Sequence, residues 1–433
     1  MHDADVIGGG IAGLAAAWSV RHLDVVLLEA SDRTGGRIRS EPRGRYWLNL
    51  GAHVFGGPGT ATGRLLTEVG LEAAEIPGTL TAVELHGRVV AGGRVETYPF
   101  RLPLRFGDRV ALARTGLRLR RAVASYDRLL RAGEPVLDFQ GDRTFTEWLG
   151  PVPADVDALF RPTLQRSSAE PEQLAAGYGI GYFHLVWDRS GGLGRAILGG
   201  PGVLPAALAA ALGERVQTRT AVSDVVASGD GVRVVHEHGE LSARCAVVAT
   251  PAHVTRTVVH DLPADTRHAL EELHYGPYVV AAFLTRETSS TAWDDIYALA
   301  AARRSFNLLF NTANVLRGRD EQREPGGSLM VYAAADLARA LWESDDAAVT
   351  ATFLADLEAI FPGVRDVVAE TLVQRWERGL PYVRPGRHRL QSALLRPLGP
   401  IFLAGDYLGT RYTETAIETG IGAAAAVRRR IAG

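Results

Sequence analysis

Gly8, Gly10 and Gly13 form the pattern G-x-G-x-x-G, and Glu29 follows Gly8 by 21 positions. Glycines so spaced suit the phosphates of a dinucleotide. Gly8 allows a tight turn, Gly10 lets backbone approach a pyrophosphate, and Gly13 lets a helix pack closely on a strand. The helix N-terminus then faces the phosphate charge. A carboxylate about 20 residues further on suits the ribose hydroxyls. A glycine-rich turn that only packs well would show the same three residues. It would not demand a strand before, a helix after and an acid closing the next strand, and this chain has all three.

The residues that are missing narrow the chemistry further. All 47 basic residues are arginine, and no lysine occurs. Schiff-base chemistry, a P-loop lysine and a lysine general base are therefore excluded. Cys245 is the single cysteine, so no intrachain disulfide and no thiolate metal cluster can form. No metal site is expected. The 49 acidic residues leave a net charge of -2, which gives no nucleic-acid-binding character. The N-terminus shows no charged leader, and no apolar run approaches the ~18 residues needed to span a bilayer. A cytoplasmic protein is the expectation.

The elements that must position these residues follow from hydrophobic patterning. Ala4–Ile7 and Asp24–Glu29 read as buried parallel strands flanking a helix at Leu14–Val20. Leu65–Leu71, Thr144–Leu149, Ala154–Leu164, Leu204–Leu212, Asp345–Ile360 and Arg365–Thr371 read as helices. Arg101–Ala132 reads as a basic helical stretch with breaks. Val83–Tyr98 reads as small hairpins. Strands are expected at Val216–Ala227, Val232–His236, Ala246–Ala249, Tyr278–Leu284, Tyr297–Ala300, Asn307–Phe310, Leu329–Ala334 and Ile401–Ala404. A last helix runs from about Thr415 to Ile431.

Glu29-Ala30-Ser31-Asp32-Arg33-Thr34-Gly35-Gly36-Arg37 resembles the E-A-x-x-x-x-G-G-R signature of the amine oxidase, protoporphyrinogen oxidase and phytoene-desaturase-like flavoproteins. Leu48–His53 is similar to the family's D-x-G-A segment, with Asn49 where an acid is commoner. Val216–Val222 resembles the strand whose backbone meets adenine. Cys245–Pro251 resembles the strand ending in A-T-P, and Phe402–Asp406 the closing cofactor motif.

The resemblance implies FAD as cofactor. It implies an α/β fold in which a Rossmann-type FAD-binding domain is interleaved with an α+β substrate domain. Residues 1–80, 200–265 and 385–433 would form the first, 81–199 and 266–384 the second. It also implies cofactor contacts at Gly8, Gly10, Gly13, Glu29, Ala30, Gly35, Gly36, Arg37, Gly51, Ala52, Val222, Gly405, Asp406, Thr415 and Ala416. The last helix would aim its N-terminus at the flavin and stabilise negative charge on the reduced ring.

Tyr382 and Tyr412 match the two aromatic positions that flank the flavin in amine oxidases. His53 follows the flavin-adjacent Gly51-Ala52 and is the first candidate for a polar substrate contact, with Arg166, Tyr178, Tyr182, His184 and Asn307 behind it. The implied reaction passes hydride from a C–H next to nitrogen to flavin N5, giving an imine, with dioxygen as acceptor. The substrate would be a small molecule, in secondary metabolism. Amine oxidases commonly hold a lysine and water at N5, and this chain cannot. C–C dehydrogenation of the protoporphyrinogen-oxidase type therefore stays open, and so does a non-redox flavin-dependent mutase, because Gly51-Ala52-His53-Val54-Phe55 resembles the motif of UDP-galactopyranose mutase. Arginines in 101–131 admit peripheral membrane contact, but a solvated helical face is the preferred reading. A homodimer is compatible with the sequence, which does not set the oligomeric state.

Overall fold

The computed structural model describes residues 1–77, 82–187, 195–320 and 322–432. The 80/81 boundary expected between domains falls outside these residues.

The first sheet gathers strands from distant parts of the chain. Its order is Val222–Ser228, Gly231–His236, Gly239–Val248, His2–Ile7, Val25–Leu28 and Val216–Gln217. Ile401–Leu403 lies parallel to the last residues of Gly239–Val248, which leave the antiparallel hairpin and run parallel to the first strand. The continuous apolar runs Val25–Leu28 and Cys245–Val248 are buried because helices cover both faces. On one face pack helices Ile11–Ser19, Val203–Leu212 and Tyr412–Ala432, through Leu14, Leu208, Ile417 and Val427. On the other pack Ala252–Val258 and Ala264–Glu271.

The second sheet is mainly antiparallel, in the order Val368–Tyr382, His274–Thr285, Gly327–Ala334, Leu308–Asn311, Ala298–Ala301, Ala82–Leu85 and Arg88–Val90. Side chains alternate across its strands. Val279, Ala281 and Phe283, with Leu329, Val331 and Ala333, point to a core closed by Val349, Phe353 and Leu357 of helix Asp346–Ile360. The alternate residues Tyr278, Val280, Met330 and Tyr332 face the opposite way, into a cavity.

Three local expectations are refined. Arg365–Thr371 is helical only over Val364–Val367; from Val368 the chain is strand to Tyr382. That strand carries Glu370, Gln374, Arg375 and Glu377, so it lacks the apolar signature, and its pairing with His274–Thr285 decides its state. The stretch Arg101–Ala132 has a single break, at 102–105, between helices Tyr98–Arg101 and Phe106–Ala132, the second ended by Gly133 at φ 70°. This second helix buries only Leu119, Val123 and Tyr126 and leaves Phe106 and Leu117 exposed. Val216–Ala227 is two strands, Val216–Gln217 and Val222–Ser228, and the break between them reaches the cavity. No helix among the described residues is long and apolar enough to cross a membrane.

Candidate active site

The first strand ends in Gly8, at φ +102°. A Cβ at Gly13 would stand 1.9 Å from the Gly8 carbonyl oxygen, so the helix can approach the strand only with glycine there. Gly10 differs. A Cβ built on it meets nothing within 4 Å, because the position opens on a cavity of about 670 Å³. Gly10 is also the residue that caps helix Ile11–Ser19, with no side chain bonded to the first-turn amides. Those N–H groups are the orphan donors that an anion satisfies.

Glu29 is fixed at the same end. Its carboxylate accepts from the Gly9 N–H at 2.6 Å, the Ser31 N–H at 2.8 Å and the Ser31 hydroxyl at 2.6 Å. Gly35 is tied to this loop by its N–H to the Gly9 carbonyl, 2.8 Å. Thr220 and Val222 complete that wall of the cavity.

Midway stands an ion pair. Arg37 lies 2.8 Å from Asp406 and donates to the Gly379 carbonyl at 3.0 Å. Burial works against the Arg37 charge, but Asp406 outweighs it and the guanidinium is held above its ordinary pKa. The pair joins the segment after the second strand to the segment after Ile401–Leu403, and both partners line the cavity.

Beyond it lie Gly51, Ala52, His53 and an aromatic cluster. Tyr412 opens the last helix with φ +51°, in the left-handed region that costs a non-glycine residue about 1–3 kcal/mol. Its ring centroid lies 5.4 Å from Tyr182 and 6.4 Å from Tyr178. The Tyr278 and Tyr332 rings are 5.4 Å apart, edge to face. Burial pushes the Tyr182, Tyr278 and Tyr412 phenols well above their usual pKa, so all stay neutral. Glu414, two residues after Tyr412, accepts the Ala61 and Thr62 N–H groups and the Thr62 hydroxyl, which caps helix Ala61–Glu68 and anchors this turn.

His53 is held neutral. Burial lowers its pKa to about 4, against the Gly51 carbonyl it contacts at 3.2 Å through Nδ1, while Nε2 is buried without a partner. His253, also on the wall, is lowered to about 4, first by burial and then by Arg378 and Arg37. A histidine depressed in the folded state stabilises fully above its ordinary value of 6.5, and that stability is lost as pH falls through about 4. Melting of wild type and of His53→Asn should therefore differ more at pH 7 than at pH 4. A gap that widens on acidification would contradict this placement.

Most residues expected at the cofactor reach this cavity: Gly8, Gly10, Glu29, Ala30, Gly35, Gly36, Arg37, Gly51, Ala52, Val222, Gly405, Asp406 and Ala416. Gly13 and Thr415 do not line it. Gly13 serves packing, and Thr415 accepts the Arg411 N–H at the turn into the last helix. Of the chemical candidates, His53 and Tyr412 line the cavity and Tyr382 does not. The Tyr382 ring lies 6.0 Å from His274 and packs with the cluster beneath helix Phe106–Ala132. The aromatic residue that this strand gives the cavity is Trp376, whose indole N–H donates to the Leu50 carbonyl at 2.7 Å. Arg166 and Tyr182 reach the cavity as well. Asn307 is buried in bonds to Gln165 and Ala334, and His184 faces Asp127 at 3.5 Å. Tyr278, Tyr332 and Met330 were not anticipated; two-residue spacing of aromatics on strands next to a core was their only signal.

A family model described as flavin containing amine oxidoreductase matches residues 11–428. The chain belongs to this family. As a flavin-containing amine oxidoreductase it takes FAD, and the open Gly10 cradle and unbonded helix amides fit that cofactor. The flavin-containing amine oxidase B of Canis lupus familiaris is 29% identical over 272 residues, 58% of this chain and 50% of that protein. The chain spans about half the length of the curated relatives it matches. Putrescine oxidase bound to putrescine superposes with a TM-score of 0.81 at 19% identity, covering 99% of each chain. Cyclohexylamine oxidase from Brevibacterium oxydans IH-35A gives 0.81 at 20% identity over 100% of each. At such identities these structures establish a shared fold.

Proposed function

We propose that this protein is an FAD-dependent oxidoreductase that converts a C–N bond of a small molecule into an imine, with dioxygen as acceptor. One observation carries the reading: a single cavity runs from the glycine loop to a cluster of neutral tyrosines around Tyr412. FAD, when bound, supplies a hydride acceptor at ring N5. Gly10, the first amides of helix Ile11–Ser19, Glu29 and the Arg37–Asp406 pair would hold its phosphate and ribose parts. Gly51, Ala52 and Trp376 would stand at its ring.

The substrate carbon gives up its hydrogen with the bonding electron pair, and the nitrogen loses a proton. Dioxygen takes up two electrons and two protons as hydrogen peroxide, so the reaction balances. Tyr412 and Tyr182 exclude water and orient the amine against their electron-rich faces. The neutral His53 lines the same wall and adds no positive charge beside the amine. These groups lose nothing by the absence of lysine, because positioning and desolvation require no base of that kind.

Peroxide release from the FAD-loaded protein across a panel of primary and secondary amines tests the reading. Reduction by porphyrinogens or polyenes, with none by amines, would favour C–C dehydrogenation instead. Tyr412→Ala should lower kcat/KM about 100-fold, the scale of lost orientation. Tyr412→Phe should lose less, because it keeps the aromatic face. Equal kcat/KM in Tyr412→Ala and wild type would remove this residue from the site.

A further inference from the structure

The inner end of the cavity carries a cation that has no counter-ion among the described residues. Arg166 follows helix Ala154–Gln165, and its side chain makes no ion pair among the described residues. Its guanidinium lies 5.8 Å from the Tyr182 ring centre, and Tyr332 shares the same cavity wall. Burial opposes its charge, and the rings of Tyr332, Tyr412, Tyr182 and Tyr278 surround it. The carboxylates on the cavity wall are engaged elsewhere: Glu29 at the glycine loop and Asp406 with Arg37. Arg378, also without an ion pair, is exposed and near His253. Among the described residues the aromatic end therefore presents one guanidinium, neutral phenols and a neutral His53.

A cation kept unpaired in such surroundings is unfavourable unless a ligand anion completes it. We propose that Arg166 receives a carboxylate of the substrate, so that the molecule oxidised is an amine carrying a carboxylate beside the C–N bond. This rests on the C–N reading above. A simple cationic amine would meet a like charge here, whereas a carboxylate matches the planar fork of the guanidinium. A second cavity, of about 380 Å³, shares Val54, Arg166 and Tyr182 with the first. Its walls are mostly apolar, with Leu159, Phe160, Phe183, Leu308 and Phe310, and the charged pair on them, Arg120 with Glu96, is internally matched. It starts at the carboxylate-binding group and suits a bulky apolar side chain. The substrate class is thus an α-amino acid with an aromatic or long aliphatic side chain.

Two measurements on the FAD-loaded protein test this. Benzoate should perturb the visible flavin spectrum on binding, and Arg166→Gln should weaken that binding about 100-fold, the scale of removing one partner of a desolvated charge pair. Benzamide, uncharged and of similar shape, should be affected far less. Arg166→Lys keeps the charge without the fork and should fall between, which guards against a variant that fails to fold. DL-Phenylalanine should reduce the flavin with a higher kcat/KM than 2-phenylethylamine. Equal benzoate binding in wild type and Arg166→Gln, or a preference for 2-phenylethylamine, overturns the proposal and leaves the C–N reading standing. Arg166-dependent benzoate binding with neither amine turned over supports the carboxylate site and overturns the C–N reading.

Discussion

Gly10→Val should fold normally and fail to retain FAD. Gly10 has φ -67° and ψ 173°, a conformation any residue adopts, so the backbone imposes no cost. A Cβ there touches nothing within 4 Å, so no neighbour must move. The two methyl groups would occupy the space where the cofactor's pyrophosphate must approach the helix amides. Overpacking costs about 1–3 kcal/mol, so FAD affinity should fall up to about 100-fold, while apoprotein stability falls by only about 0.5–1 kcal/mol, because valine is a poorer helix cap than glycine. Gly13→Val is the contrast. Its Cβ would stand 1.9 Å from the Gly8 carbonyl oxygen, so that variant should lose the fold itself. Titrating FAD into refolded apoprotein, beside a melting curve, separates the two outcomes. Wild-type FAD affinity in Gly10→Val would show that the cradle faces something else.

The second large effect concerns Asp406. Its side chain is 9% exposed and that of Arg37 is 30% exposed, so the pair is largely shielded from solvent. Replacing Asp406 with alanine leaves a guanidinium whose other bond reaches only the Gly379 carbonyl. Breaking a buried pair from one side costs about 3–5 kcal/mol, because the remaining charge is uncompensated. Removing both partners costs less, so the double variant Asp406→Leu with Arg37→Met should recover much of the loss. Denaturant unfolding of Asp406→Leu, Arg37→Met and the double variant provides the cycle. Additive losses would show that the pair does not act as a unit.

These two positions also show what could be read from the chain. Gly8, Gly10, Glu29, Arg37 and Asp406 lie in short motifs whose spacing is dictated by local geometry, so their place in the cavity follows from sequence. Tyr412 shares this advantage, since it opens the helix after the Gly405-Asp406 turn. Tyr382 does not. It lies on a strand with a register irregularity opposite Gly276–Tyr278, and such a bulge alters the course of the strand beyond it. The sequence alone does not mark that bulge, and it puts Trp376 rather than Tyr382 on the cavity wall. Tyr278 and Tyr332 were hidden for a related reason. Val280 pairs with Tyr332 and Tyr278 with Trp376, so three strands share the aromatic wall, and only cross-strand register brings it together. Arg166 was readable as a polar candidate, but its lack of a counter-ion is a property of the folded state.

The absence of lysine takes on a specific meaning in this site. The inner end of the cavity is furnished by tyrosines, a neutral histidine and one arginine. Its chemistry would depend on orientation, exclusion of water and a fixed positive charge rather than on a titrating amine.

The most direct measurement is anaerobic. FAD-loaded protein would be mixed with primary amines, secondary amines and amino acids, and the oxidised-flavin absorbance followed. At least one of these compounds should bleach the flavin, and admitting air should restore the colour with release of hydrogen peroxide. A flavin that no C–N compound bleaches, while dithionite reduces it normally, would contradict C–N oxidation as the function of this protein.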